Sequence, residues 1–381
     1  MKRLFLFFVA IFCAFTLSAA QPYGVAHGPY LQELTETGVT VAFVTSAPGF
    51  SCIELRSPDG SVSAHYTVRN GLRDAANTMN TVRLEGLSPA TRYAYRIVTQ
   101  EVVRFEPYDI RLGDTVRSPW YAFRTADPEA EGGSLFIVSD IHGDSAKLGR
   151  LLDRADWSTC TAFFYNGDMV NYMNDDTTMF RVVVDPSVHR FATSIPFEVV
   201  RGNHETRGDR ARRFLELFPR QDDRIYGVFR RGDVMVVMLD CGEDKADTTR
   251  VYAGFNDFDA YRTEQAEWLA RVVRTKEFRQ ARYRIVVCHI PTVPAARESY
   301  LDHGMRDLYR KMLPVLNRAK IDLMVSGHLH RFSYREPDEE RLFPVVINSN
   351  RSATRLDLEA NRIRVRTFDV DGRLLLDRVL E

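Results

Sequence analysis

The sequence predicts a chain of mixed α/β class in two folded parts, an all-β sandwich followed by a layered α/β domain. Three observations carry this reading. Residues 21 to about 126 contain short runs of period-two hydrophobicity separated by turn signals. From Ser134 onward, short apolar runs alternate with amphipathic helical stretches. Five short stretches rich in Asp, Asn and His are spread along that second part, four of them directly after an apolar run.

The N-terminal residues read as a leader. Lys2 and Arg3 precede an apolar run from Leu4 to Leu17, and Ser18-Ala19-Ala20 places small residues before Gln21. This is the pattern of a secretory signal peptide, residues 1–20, cleaved after Ala20. A membrane anchor is the competing reading, but the run is shorter than the ~20 residues that span a bilayer. The expected location is periplasmic or secreted, with no membrane association after the leader is removed. Lys+Arg and Asp+Glu are both 51, and loss of Lys2 and Arg3 leaves 49 against 51, a net charge of −2. That balance carries no nucleic-acid-binding signal and no attraction to an acidic membrane surface. Cys13 leaves with the leader. Cys52, Cys160, Cys241 and Cys288 are widely spaced among apolar neighbours, which predicts free thiols even in an oxidising compartment.

In the first part, 39–44, 61–68, 81–84 and 93–98 read as strands, with Pro58-Asp59-Gly60 as a turn and 121–125 as the closing strand. Residues 126–133, rich in Asp, Pro, Glu and Gly, read as a linker. In the second part, 135–138, 161–165, 197–200, 234–239, 283–287 and 321–325 read as strands. Residues 147–155, 263–273 and 305–319 read as helices with one apolar face. The tail returns to strands at 363–368 and 374–379 across Asp371-Gly372, a hairpin signal expected to complete an edge of the second domain.

The five polar stretches are Asp140-Ile141-His142, Gly167-Asp168, Gly202-Asn203-His204-Glu205, Val287-Cys288-His289 and Gly327-His328-Leu329-His330. Ligands at the ends of parallel strands converge on one sheet edge. Carboxylate, amide and imidazole are the donors that hold Zn, Fe and Mn. Taken singly, each is weak: an Asp-x-His is more often a turn, and a histidine after Val286-Val287-Cys288 is by default a satisfied core residue. Together they hold five of the nine histidines. Asp168, with two carboxylate oxygens, is placed to bridge two cations.

The order Asp-x-His, Gly-Asp, Gly-Asn-His-Glu, His, Gly-His-x-His resembles the calcineurin-like metallophosphoesterase superfamily over roughly residues 134–350. Leu87 to Tyr93 resembles the corner before the sixth strand of fibronectin type III domains, in which the Tyr hydroxyl bonds back to the chain. With Gly28-Pro29-Tyr30-Leu31-Gln32, the first part is similar to the N-terminal domain of purple acid phosphatases. The resemblance implies a four-layer β-sandwich flanked by helices over 134–381, preceded by an immunoglobulin- or fibronectin-like sandwich over 21–126. It implies two metal ions (Fe, Mn or Zn). Asp140, His142, Asp168 and His330 would hold the first, and Asp168, Asn203, His289 and His328 the second. It makes His204 catalytic, contacting the phosphoryl oxygen or protonating the leaving group, and leaves Glu205 to orient the loop. The implied reaction is hydrolysis of a small phosphate monoester by metal-bound hydroxide. A phosphodiesterase or nucleotidase is the alternative. A non-enzymatic binding module on the same fold predicts lost ligands, and none is missing.

Two positions depart from the relatives. His142 stands where purple acid phosphatases have Gly, and Asn171 stands where they have the tyrosine that colours the iron. Phosphoprotein phosphatases carry Asp-Arg where this chain has Asn171-Tyr172, so pairing of Asn171 with His204 is expected to be neutral and phosphate must be gripped elsewhere. Arg201, Arg207 and His303 are considered for that grip, with surface charge as the default reading. The segment 242–261 is considered as a lid, with Asp257 and Asp259 as surface residues.

Overall fold

The computed structural model describes residues 22–294, 302–359 and 361–381, so the expected signal peptide lies outside the described residues. The first part consists of β1 (Val25–Gln32), β2 (Val39–Arg56), β3 (Val62–His65), β4 (Val68–Arg69), β5 (Leu72–Arg73), β6 (Asn77–Leu84), β7 (Arg92–Glu106), β8 (Asp109–Arg117) and β9 (Tyr121–Arg124). Its organising element is β2. The first half of β2 pairs with β1 and β6, and the second half with β3 and β7. The two halves share one apolar core that includes Val41, Phe43, Ile53, Tyr95, Ile97 and Phe123. The Ser88 N–H donates to the Tyr93 hydroxyl at 2.9 Å, the backward bond expected of that corner.

The second part runs β10 (Gly133–Val138), α1 (Ser145–Leu152), β11 (Ala162–Asn166), α2 (Asp176–Met179), α3 (Asp185–Val188), β12 (Phe197–Val200), α4 (Phe214–Leu217), β13 (Gly227–Arg231) and β14 (Val234–Leu239). It continues through α5 (Phe258–Val272), α6 (Lys276–Gln280), β15 (Tyr283–Cys288), α7 (His303–Ala319), β16 (Leu323–Ser326), β17 (Ser333–Arg335), β18 (Val345–Ile347), β19 (Ser352–Glu359), β20 (Arg362–Asp369) and β21 (Leu374–Leu380). Two six-stranded sheets form, in the orders β12-β11-β10-β19-β20-β21 and β13-β14-β15-β16-β18-β17. Leu135, Ile137, Phe164, Val236, Ile285, Val325 and Val346 pack together in a core shared by the two sheets. A second core joins the first sheet to the segment from α1 to α4, and a third joins the other sheet to α5, α6 and α7. The result is a four-layer arrangement of helices, sheet, sheet and helices. The hairpin β20–β21 lies at the edge of the first sheet, as expected.

Several strands are not among those the sequence predicts. In β19, a central strand, Arg355 and Asp357 are buried as a pair at 2.7 Å, and Asp357 also accepts from Ser134 Oγ at 2.7 Å. Charges satisfied by partners far along the chain hide the strand from a local reading. β8 pairs with β7 while showing little burial, so its alternating Ile110, Leu112 and Val116 line a largely exposed face.

Candidate metal centre

All five polar stretches follow a parallel strand: β10 leads to Asp140, β11 to Asp168, β12 to Asn203, β15 to His289 and β16 to His328. The loops are laced together by backbone bonds. Asp140 N donates to Gly167 O at 3.0 Å, His142 N to Asp168 O at 2.9 Å and Gly327 N to His289 O at 2.9 Å. Asp140, His142, Asp168, His328 and His330 all lie in the left-handed region, with φ from 53° to 70°. Such backbone costs about 1–3 kcal/mol per residue and persists only where its surroundings enforce it. Two glycines make the close approach possible. A Cβ on Gly167 would lie 2.5 Å from the His289 ring, and one on Gly327 2.4 Å from Asp140 Oδ2.

The loops bring the predicted ligands into two groups that meet at Asp168. Donor atoms of Asp140, His142, Asp168 and His330 lie within 4.8 Å of one another, as do those of Asp168, His289 and His328. Asn203 joins the second group, with Oδ1 at 3.1 Å from His328 Nδ1. His289 Nδ1–H donates to Asn166 O at 2.8 Å, which turns Nε2 inward, 3.0 Å from Asp168 Oδ2. That Nε2 is buried and makes no hydrogen bond among the described residues. His142 Nε2 and His330 Nε2 also face each other at 3.0 Å. Lone pairs at such separations repel unless a proton or cation lies between them. Burial opposes a charge on His289, yet Asp168 and Asp140 pull it up to about 10. Burial and the His289 charge push His328 down to about 4. Two buried carboxylates thus force positive charge onto their surroundings. An orphaned buried nitrogen, converging acceptors and a carboxylate, amide and imidazole donor set fit divalent metal ions.

The residues around these donors hold them in place. Asn171 brackets His142: its Oδ1 accepts from His142 Nδ1–H at 3.0 Å and its Nδ2 donates to His142 O at 3.2 Å. It meets His204 through its backbone carbonyl rather than its amide, accepting from His204 Nδ1–H at 3.0 Å, so that pairing is indeed neutral. Burial lowers the His204 pKa. Glu205 is fully buried and its carboxylate accepts from the N–H groups of Asp168, Met169, Val170 and Gly202 at 2.6–3.2 Å. It therefore ties the second motif to the third, as the resemblance implied.

The default of surface charge fails for both arginines. Arg201 is buried and grips Asp240 with two bonds, at 2.5 and 3.3 Å. Arg207 is bonded to Glu243 and Asp244 and reaches His204 Nε2 at 3.0 Å. Burial opposes the Glu243 charge, but the Arg207 hydrogen bonds outweigh it and hold that carboxyl at about 2. His303 bonds Asp259 at 2.8 Å, and Asp259 also meets Arg262 at 3.0 Å. The start of the 242–261 segment is anchored rather than free. Fully buried Arg262 donates to the carbonyls of Cys241 and Glu243, and Gly304 N donates to Asp244 O at 2.7 Å. The sequence alone missed the Arg207–Glu243 pair, because its partners lie 36 residues apart.

Residues 134–332 match the family model of the calcineurin-like phosphoesterases. The fold is similar to that of purple acid phosphatase PPD1 from yellow lupin (Lupinus luteus) seeds, with a TM-score of 0.65 at 14% identity over 92% of this chain and 73% of that one. It is also similar to PhoD, with a TM-score of 0.57 at 11% identity over 92% of each chain. Both likenesses extend over the N-terminal sandwich as well as the second domain. No curated relative matches the chain.

Proposed function

Because this chain belongs to the calcineurin-like phosphoesterase family and is a metal-dependent phosphoric ester hydrolase, we propose that it is an exported phosphomonoesterase with a dinuclear metal centre. The observation that carries the reading is the meeting of two donor groups at Asp168 with His204 beside them. Asp140, His142, Asp168 and His330 would hold one ion, and Asp168, Asn203, His289 and His328 the other. Bound divalent ions supply Lewis-acid charge and lower the pKa of water.

The chain's own residues do the rest. His204 N donates to Asp168 Oδ1 at 2.9 Å, which fixes the imidazole against the bridging carboxylate. Its Nδ1–H is held by Asn171 O, so Nε2, which Arg207 Nη1 meets at 3.0 Å, is the nitrogen on the substrate side. Arrival of a phosphoryl dianion favours the imidazolium, which then carries a proton for the departing alkoxide. Export rests on the leader read at residues 1–20. The four described cysteines are free and buried, so the reading of export does not draw on a disulfide. No helix among the described residues is long and apolar enough to cross a membrane.

A nucleotidase is the second reading. Tyr172 favours it: the ring is more than half exposed and its centroid lies 6.3 Å from that of His204, where a flat leaving group could stack. The test is metal analysis of purified protein, followed by turnover of phosphomonoesters, phosphodiesters and nucleotides with and without chelator. Two metal equivalents and chelator-sensitive monoester hydrolysis are expected. Activity that survives complete metal removal overturns the reading.

A further inference from the structure

The donors of the metal centre leave the grip on the phosphoryl group unassigned, and Asn171-Tyr172 supply no cation for it. One cation does touch the residue set apart for chemistry. Arg207 Nη1 lies 3.0 Å from His204 Nε2, and about one-fifth of the Arg207 side chain is exposed. The rest of the guanidinium is committed. Nε donates to Glu243 Oε2 at 2.8 Å, and Nη2 donates to Glu243 Oε1 at 2.6 Å and Asp244 Oδ1 at 3.2 Å. A guanidinium has five N–H groups. After these bonds and the one to His204, a single Nη1 N–H has no partner among the described residues.

The support behind Arg207 is rigid. The Glu243 side chain is fully buried, and its carboxylate also accepts from Thr206 Oγ1 at 3.2 Å and Asp244 N at 3.0 Å. Lys245 Nζ meets Asp244 Oδ1 at 2.6 Å. Arg207 and Lys245 therefore balance Glu243 and Asp244, and the cluster has no net charge to attract an anion from afar. Its asset is direction: one Nη1 edge is fixed beside His204 and spent on a neutral imidazole nitrogen. The guanidinium is already an ionised donor, and a phosphoryl oxygen is a better acceptor for it than an imidazole nitrogen because it brings the opposite full charge.

We propose that Arg207 is a substrate-binding residue, whose Nη1 edge turns from His204 Nε2 to a terminal phosphoryl oxygen and favours dianionic monoesters over diesters. The inference rests on the phosphoesterase reading and deepens it. A monoester presents three terminal oxygens and two negative charges, whereas a diester presents two and one. The donor gains most where the oxygen carries most charge. Release of His204 Nε2 from Arg207 also frees that nitrogen for the leaving group. The Glu243 clamp means that little side-chain freedom is lost on binding.

The test compares wild-type, Arg207→Ala and Arg207→Lys holoproteins after metal content and thermal unfolding show equal loading and folding. Inorganic phosphate binding is read by calorimetry, and kcat and KM are read on p-nitrophenyl phosphate and bis(p-nitrophenyl) phosphate. Arg207→Ala is expected to weaken phosphate binding ~10-fold or more, as loss of a charge-assisted bond does, with a matching rise in monoester KM. The ratio of monoester to diester kcat/KM should fall, and Arg207→Lys should recover part of the phosphate binding. If Arg207→Ala does not fold, the Lys and Gln variants carry the same comparison. Unchanged phosphate affinity and an unchanged substrate ratio overturn the inference, even if wild type hydrolyses both esters. Wild type that binds phosphate through Arg207 yet hydrolyses neither ester would leave Arg207 in place and overturn the phosphoesterase reading.

Discussion

Asp168 is the residue on which both donor groups depend. Its Oδ1 accepts from His204 N at 2.9 Å while its Oδ2 faces His289 Nε2 at 3.0 Å. Asp168→Asn removes the charge and one oxygen donor together, so the purified variant should lose at least one metal equivalent by elemental analysis. His204 is a different case, since the proposed ligand set does not include it. His204→Ala should keep the metal content while turnover falls by about 10²–10⁴-fold, the usual span for loss of an acid–base group. Retention of full turnover would remove His204 from the mechanism. Glu243 gives a pH-dependent prediction. Its carboxyl sits at about 2 against an ordinary 4.5, because the Arg207 bonds overcome burial. A depressed carboxyl adds stability above its unfolded pKa and loses it as pH falls through the folded one. Wild type should therefore unfold at a higher temperature than Glu243→Gln at pH 6. The gap should close as the pH drops from about 4.5 towards 2.

At the scale of elements, the strands place the loops and Glu205 locks them. Four N–H groups from two motifs converge on one buried carboxylate. Glu205→Ala leaves these donors in a dry interior at about 1–3 kcal/mol for each that finds no substitute. The expected result is a lowered melting temperature together with weaker metal binding, and chelator titration would separate the two. If Glu205→Ala binds metal as wild type does, the loops are held by their strands alone. The elements also show where patterning succeeds. Apolar runs such as 234–239 and 283–287 lie in β14 and β15, each covered on both faces by the shared core and the α5–α7 core. β19 escapes because Arg355 and Asp357 read as surface charges, while in the fold they pair with each other and both bond Ser134, more than 200 residues away.

At the scale of the whole molecule, the N-terminal sandwich is seated on the catalytic domain through β1. Tyr30 is fully buried and its hydroxyl donates to Leu217 O at 2.5 Å. Gln32 Nε2 donates to Phe197 O at 2.6 Å, Leu31 N to Ala192 O at 3.0 Å and the Tyr95 hydroxyl to Thr193 O at 2.9 Å. Ala192, Phe197 and Leu217 belong to the core on the outer face of the first sheet, and Phe197 opens β12, the strand that carries Asn203. The sandwich therefore braces the strand that leads to Asn203. Tyr30→Ala should cost about 3–5 kcal/mol, as loss of a buried aromatic does. It should also split a shared thermal transition into two, as read by calorimetry. A single transition at the wild-type temperature would deny the brace.

The sequence by itself determined where the strands end, the types of donor residue and their order, because apolar runs, glycines and donor residues are local features. The same holds for the Tyr93 corner, whose partner Ser88 is five residues away. The resemblance already divided the donors into two groups, and only the tertiary structure decided that Asn171 serves His142 with its side chain and His204 with its carbonyl, and that Arg201 is buried while Arg207 reaches the site. Those outcomes depend on the stacking of two sheets whose contributing strands lie far apart in the chain. A charged side chain reads the same at a surface and in a core until its partner, brought from elsewhere in the fold, settles its surroundings.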